Sequence, residues 1–135
     1  MPVEIANKTK GKINLQKLKK IAERILEKYG KSGYELSIAL VGDKAIRRLN
    51  RVYRGKDSVT DVLAFGGDGD FLGEIIIDCQ QIKRQAGKFG KSAEDELYFI
   101  LTHGLLHLFG YDDSTEKSRE EMIKVGEKLL RNIKG

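Results

Sequence analysis

The sequence predicts an α/β fold of the α+β type, in which a small mixed sheet of about four strands is surrounded by helices. Amphipathic stretches with the repeat of a helix alternate with short apolar stretches of strand length, and a glycine-rich connection between two of the latter is typical of a hairpin. With 135 residues, the chain is long enough to bury a core, and we expect residues 1–135 to form one domain.

The first half of the chain alternates strands with helices. The predicted elements are a strand over 3–6, a helix over 15–29, a strand over 34–40 and a helix over 44–53. Asn14 is placed to cap the first helix and Gly30 to end it. Gly42 and Asp43 end the second strand and are placed to cap the next helix.

The second half begins with a predicted hairpin and continues as helices. The predicted elements are strands over 58–65 and 72–78, a helix over 79–89, a helix capped by Ser92, and a last helix capped by Ser114 or Thr115. Negative charge at Glu94, Asp95 and Glu96 is favourable in the first turn of the helix after Ser92. The expected buried stripe of the last helix consists of Met122, Val125, Leu129, Leu130 and Ile133. Glycine-rich residues 66–70 fit a hairpin better than a phosphate loop, because no Lys-Ser or Lys-Thr pair follows them. The helix after Ser92 has almost no polar face, so we expect it to be central and buried.

Charge and cysteine content restrict the setting of the protein. The formal net charge of +5 suits an anionic partner such as RNA. Lys83 and Arg84 lie on the basic side of the helix over 79–89, which is either an RNA contact or an ordinary solvated face. Cys79 is the single cysteine, so no internal disulfide can form, and we expect a reduced, cytoplasmic setting. We expect no membrane partner, because residues 1–12 lack the apolar run of a signal peptide and no stretch approaches roughly 18 apolar residues.

Both histidines of the chain lie in the central helix and predict a metal site at its end. His103 and His107 are four residues apart, so their imidazoles share one helical face. Gly110 can end the helix and turn the chain back, which makes Asp113 the expected third ligand and Asp112 its rival. Two imidazoles and one carboxylate leave an open coordination position, as in catalytic zinc sites.

The spacing equals that of the long zinc-protease motif, with two differences. Gly104 stands where that motif has the glutamate that acts as general base, so peptide hydrolysis by that mechanism lacks its base. We expect the glycine to mark close packing or room for substrate. Asp113 stands in place of the last histidine. We expect its negative charge to make the bound water less acidic and to shift metal preference toward Mn²⁺ or Fe²⁺.

Three segments resemble one protein family. Residues 103–113, HGLLHLFGYDD, resemble the motif His-Gly-x-Leu-His-Leu-x-Gly-Tyr-Asp-His of the bacterial YbeY family of ribosomal RNA maturation factors and endoribonucleases, from which only Asp113 clearly departs. Residues 50–65, NRVYRGKDSVTDVLAF, and 73–78, GEIIID, resemble two further segments of that family, in the same order and at similar spacing.

The resemblance implies a metalloprotease-like core and a metal-dependent endoribonuclease that cleaves single-stranded RNA. It implies a role in maturation of the 3′ end of small-subunit ribosomal RNA and in ribosome quality control, with the ribosome or ribosomal proteins as partners. The cofactor would be one Zn²⁺, or another divalent transition metal, per chain. His103, His107 and Arg54 would form the catalytic group, with Arg54 clamping a phosphate and Lys56 assisting electrostatically. A structural ion pair is the alternative role for Arg54.

Two other functions remain open from the sequence. One is a metal-dependent hydrolase of another substrate, including a peptidase with an unrecognised base. The other is a ribosome-assembly factor without enzymatic activity, in which the metal is structural. Within the nuclease hypothesis, either water or the RNA 2′-hydroxyl can be the nucleophile.

Overall fold

The computed structural model describes residues 3–134 of the chain. Within that range, four strands and five helices follow one another as β1 (Val3–Asn7), α1 (Leu15–Lys28), β2 (Glu35–Val41), α2 (Asp43–Arg54), β3 (Val62–Gly66), β4 (Phe71–Asp78), α3 (Cys79–Lys88), α4 (Ala93–Leu108) and α5 (Glu116–Lys134). The predicted α/β class with a small sheet is confirmed. None of these helices combines the length and apolar character needed to span a bilayer.

The four strands form one mixed sheet in the order β1-β2-β4-β3. β1 pairs with β2 and β2 with β4 in parallel, whereas β3 and β4 form the predicted antiparallel hairpin. β1 and β3 are therefore the edge strands. Ile38 of β2 lies between Ile5 and Ile75, so an apolar row crosses the sheet.

Alternation along the strands separates two apolar faces. One face belongs to the main core, which it forms with α1, α3 and α4. Its buried strand residues are Val3, Leu36, Ile38, Leu40, Ile75 and Ile77. The other face is covered by α2 through Ile46, and its strand residues are Ala39, Val41, Leu63 and Ile76. α5 packs outside against α4 and α1. Consequently Met122 is its buried apolar side chain, whereas the rest of the predicted buried stripe is half-buried: Val125, Leu129, Leu130 and Ile133.

α1, α4 and α5 are each capped by the side chain of the residue directly before the helix. The Asn14 side chain accepts a hydrogen bond from the Lys17 amide, and Ser92 accepts one from the Asp95 amide, as predicted. Thr115, rather than Ser114, caps α5 by accepting from the Ser118 amide.

Gly42 is the N-cap residue of α2, as expected, and Asp43 is the first residue of the helix. Because Gly42 has no side chain, the Asp43 amide donates to the Gln80 side chain of α3 at 2.8 Å. The expected start of the third strand was wrong. β3 begins at Val62 instead of Ser58. The Ser58 carbonyl oxygen accepts from the Asn50 side chain at 3.0 Å, so it faces α2 and not a neighbouring strand.

Candidate metal centre

α4 carries the two histidines and packs against the sheet at Gly104. A Cβ atom built on Gly104 would lie 3.0 Å from Cγ2 of Ile75 in β4 and 3.4 Å from Cγ2 of Val62 in β3. The glycine therefore allows close packing, the first of the two expected roles. A larger side chain at this position, such as the glutamate of the zinc-protease motif, would crowd Ile75 and Val62.

The chain reverses directly after α4. Gly110 has φ +100°, a conformation that side chains other than glycine rarely adopt, and the Tyr111 amide donates back to the Leu106 carbonyl at 3.0 Å. This turn returns Asp113 to the end of the helix. Oδ2 of Asp113 lies 3.8 Å from Nε2 of His103 and 3.4 Å from Nε2 of His107.

The three predicted ligands therefore meet at one place. One donor atom from each of His103, His107 and Asp113 lies within 4.8 Å of the other two. Donor atoms held by one zinc ion at about 2.1 Å lie roughly 3.4 Å apart in tetrahedral geometry. The observed separations fit such an ion after small side-chain adjustments. We refer to these three residues as the metal group.

The environment of the metal group favours a neutral imidazole at His103 and leaves the group open to solvent. The side chains of His103 and His107 are 18% and 30% exposed, and that of Asp113 is 42% exposed. Burial, followed by the neighbouring His107, lowers the pKa of His103 below its ordinary value. A neutral imidazole is the form that binds a metal, so the burial of His103 favours its role as a ligand.

Asp112, the rival ligand, is directed elsewhere. Its Oδ1 accepts from the Ser114 amide at 2.8 Å and its Oδ2 accepts from the Ser114 hydroxyl at 2.7 Å. Both oxygens therefore stabilise the turn before α5, which leaves Asp113 as the carboxylate of the metal group.

Behind His103 lies a polar network that the sequence did not predict. The Gln85 amide donates to Glu96 at 2.7 Å and to Asp61 at 3.2 Å, and Lys91 donates to Glu96 at 2.7 Å. Asp61 is close enough to His103 to act electrostatically on its pKa, opposing the effect of burial. The sequence predicts for Glu96 only a favourable charge at the start of α4. Its burial, at 2% exposure, depends on partners from other elements.

Arg54 and Lys56 are exposed near the end of α2, on the other side of β3 from α4. Nearby arginines form ion pairs, since Arg47 and Arg51 both contact Asp57. Within residues 3–134, neither Arg54 nor Lys56 has an ion pair or side-chain hydrogen bond. The structural ion pair considered for Arg54 is therefore absent from this range, and its guanidinium is available to a ligand. The structure does not bring Arg54 into contact with the metal group.

The two candidate RNA-contacting residues of α3 differ in availability. Arg84 donates to both oxygens of Asp43 at 2.7 and 2.9 Å and also contacts Gln81. This bidentate pair lowers the pKa of Asp43 to about 2. Lys83 is exposed and faces the segment between β1 and α1.

An α/β fold with two imidazoles and a carboxylate at a solvent-open position is typical of metal-dependent hydrolases. The family model described as endoribonuclease YbeY matches residues 4–134. The chain therefore belongs to the endoribonuclease YbeY family, which confirms the predicted family and, at the level of the family, the predicted enzyme class.

Individual relatives agree with this assignment. The endoribonuclease YbeY of Petrotoga mobilis is 41% identical over 90% of this chain and 87% of its own length. The one from Geobacter sulfurreducens is 42% identical over 98% of this chain and 93% of its own length. The solution structure of a Thermotoga maritima protein matches with a TM-score of 0.73 and 32% identity, over 97% of this chain and 88% of that one.

Proposed function

We propose that this protein is a metal-dependent endoribonuclease that cleaves single-stranded RNA. We further propose that it matures the 3′ end of small-subunit ribosomal RNA and takes part in ribosome quality control. The observation that carries the proposal is the solvent-open metal group of His103, His107 and Asp113 in a member of an endoribonuclease family.

The residues of the metal group have distinct tasks. Zn²⁺, or another divalent transition metal, would supply Lewis acidity at a phosphoryl oxygen and would acidify water when bound. His103 and His107 would each offer an imidazole nitrogen from the same face of α4, which already holds these atoms close together. Asp113 adds a negative charge and a hard oxygen donor, which tilts the metal preference toward Mn²⁺ or Fe²⁺ relative to a third histidine.

Arg54 and Lys56 supply the phosphate contacts in this proposal. A guanidinium without an internal partner can bind a phosphate through two parallel hydrogen bonds, and the Lys56 ammonium adds positive charge nearby. α2 and α4 lie on opposite faces of the sheet and flank the edge strand β3. An RNA strand that passes over this edge can contact Arg54 and the metal group together.

The first test compares cleavage of a labelled single-stranded RNA by metal-loaded wild type and His107→Ala, purified identically, with RNA binding measured in both. We expect cleavage by wild type alone, its loss with a chelator, and its return when metal is restored. Binding by both proteins with cleavage by neither would contradict the nuclease and favour an assembly factor. Chelator-sensitive proteolysis without RNA cleavage would instead indicate another hydrolase.

A second test addresses Arg54. We expect Arg54→Ala to lower kcat/KM for RNA by at least about 10-fold while metal content stays at the wild-type level, because a charged phosphate contact is lost. Arg48→Ala is the matched control, since Arg48 is an exposed arginine of the same helix. Equal effects of the two substitutions would remove Arg54 from the proposed site.

The ribosomal role requires a test in cells. A strain that lacks the gene is complemented with wild type or His107→Ala, and the 3′ ends of small-subunit ribosomal RNA are mapped. We expect mature ends with wild type and extended ends with His107→Ala. Equal maturation by both would contradict a catalytic role in this step.

A further inference from the structure

We propose a second RNA-binding site, the carboxyl-edge surface, in which Lys8, Lys10, Lys12 and Lys83 bind backbone phosphates away from the metal group. This inference rests on the proposed function, because it assigns part of the same RNA strand to a separate surface.

The carboxyl-edge surface lies where the three parallel strands end. The segment between β1 and α1 passes over the carboxyl ends of β1, β2 and β4, and it borders an open depression of about 440 Å³. All four lysines line this depression, together with Gly42 and Gln80 from the beginnings of α2 and α3. In open α/β sheets, ligands bind outside the carboxyl ends of the strands.

The lysine-bearing segment is held in one conformation by local hydrogen bonds. Oδ1 of Asn7 accepts from the amide of Thr9 at 3.0 Å and from its hydroxyl at 2.6 Å, and Nδ2 of Asn7 donates to the Gly11 carbonyl at 3.1 Å. The Lys8 amide donates to the Leu40 carbonyl at 2.9 Å, which attaches the segment to β2. A segment that is already ordered loses less entropy when it binds a ligand.

Positive charge dominates this surface because the nearby acidic groups are occupied or buried. Lys8, Lys10, Lys12 and Lys83 are exposed and have no ion pair within residues 3–134. By contrast, the acidic groups around them are Asp43, which is held by Arg84; Glu94, which pairs with Lys17 at 3.2 Å; and Asp78, which is fully buried. Four uncompensated ammonium groups around one depression fit a polyanion.

The position of the surface favours the backbone of a long RNA strand over a small anion. Lys12 and Lys83 also border a smaller cavity lined by Glu94 and Leu97, in the first turns of α4. His103 is ten residues beyond Ala93, the first residue of α4, which corresponds to roughly 15 Å along the helix. Several nucleotides of single strand must therefore separate the phosphates at the lysines from the phosphate at the metal group.

The experiment compares two triple variants of the metal-loaded protein with equal change in charge. The first is Lys8→Gln/Lys10→Gln/Lys12→Gln. The control is Lys28→Gln/Lys124→Gln/Lys128→Gln, which removes three exposed lysines that do not line the depression. Binding of labelled single-stranded RNAs of about 4 and about 20 nucleotides is measured over a range of salt concentrations, with cleavage, metal content and thermal unfolding recorded for each protein.

We expect the first variant to bind the long RNA at least about 10-fold more weakly, with a salt slope reduced by about 2, because each phosphate contact on a single strand contributes about 0.7. Its binding of the short RNA, metal content, melting temperature and cleavage rate at saturating RNA should match wild type. Equal weakening by the control variant would overturn the site, since net charge alone would then explain the loss. Equal weakening with the short RNA would also overturn it, by placing the lysines at the metal group.

The two proposals fail in different ways. If wild type binds long RNA and cleaves none, the proposed function fails, while the difference between the variants still decides the carboxyl-edge surface. If wild type cleaves RNA and both variants bind as wild type does, the surface fails alone.

Discussion

Asp113→Ala, compared with Asp112→Ala, tests which of two neighbouring carboxylates belongs to the metal group. Oδ2 of Asp113 lies 3.4 and 3.8 Å from the two imidazole nitrogens, whereas both oxygens of Asp112 accept from Ser114. The first substitution should therefore act on metal binding. The second should act on the turn before α5.

The magnitude follows from the linkage between metal binding and stability. At free zinc of about 100 times the wild-type Kd, binding adds about 2.7 kcal/mol to the free energy of unfolding. Loss of a residue that merely supports metal ligands weakens affinity by about 10-fold or more. Loss of the Asp113 ligand should do at least this, which reduces the added stability to about 1.4 kcal/mol or less. At about 4 °C per kcal/mol, the zinc-induced rise in Tm falls from about 11 °C to about 6 °C or less.

Asp112→Ala should have the opposite pattern. It removes two hydrogen bonds, of 2.8 and 2.7 Å, at an exposed turn. We expect a loss of about 1 kcal/mol without metal, or about 4 °C in Tm, and an unchanged rise on adding zinc.

Thermal unfolding followed by circular dichroism, in zinc buffered at one free concentration, measures both quantities. Competition with a chromophoric chelator gives the Kd of each variant independently. If Asp113→Ala keeps the full rise in Tm while Asp112→Ala loses it, the assignment of the third ligand is refuted and the turn rearranges on binding metal.

Three further predictions concern stability. Gly104→Ala should lower the free energy of unfolding in urea by about 1 kcal/mol, because crowding against Ile75, at 3.0 Å, outweighs the gain in helix propensity; stability equal to wild type would show that α4 shifts freely. Burial, followed by contact with Asp43, raises the pKa of Asp78 from 3.8 to about 7. The folded state then holds the proton more tightly, so the free energy of unfolding should fall as pH rises from about 4 to about 7. Urea unfolding of Asp78→Asn, measured at each pH, should lack this decline. If the variant shows the same decline as wild type, groups other than Asp78 cause it. Lys91→Met leaves Glu96, which is 2% exposed, without its cation. It should lower the free energy of unfolding in urea by about 1.5 to 3 kcal/mol. Lys88→Met, at an exposed lysine of α3, is the control; an equal loss in both variants would show that the hydrogen bond from Gln85 is enough to stabilise buried Glu96.

Features that depend on residues near each other along the chain were predicted correctly. The spacing of His103 and His107 places both imidazoles on one helical face in any α-helix, and Gly110 allows the turn that returns Asp113. The caps at Asn14 and Ser92 likewise involve amides three residues away. Such contacts form wherever the local backbone forms, so the sequence is enough to predict them.

The features that the sequence did not predict involve partners from other elements. The Gln80 side chain of α3 accepts from the first amide of α2, and the Asn50 side chain of α2 donates to the Ser58 carbonyl, which lies outside β3. The sequence contains both side chains but does not indicate that they meet these backbone groups. Their positions follow from packing of α2 and α3 beside the sheet.

By itself, the sequence determined the fold class, the order of elements and the proximity of His103, His107 and Asp113, because helical and strand periodicity and short-range spacing encode them directly. Only the tertiary structure decided which charged side chains are available. It joined Arg84 to Asp43 across 41 residues, left Arg54 unpaired within residues 3–134, and brought Lys83 beside the lysines that follow β1. Whether a charge is compensated depends on neighbours from other elements, and those neighbours are determined by the packing of helices on the sheet.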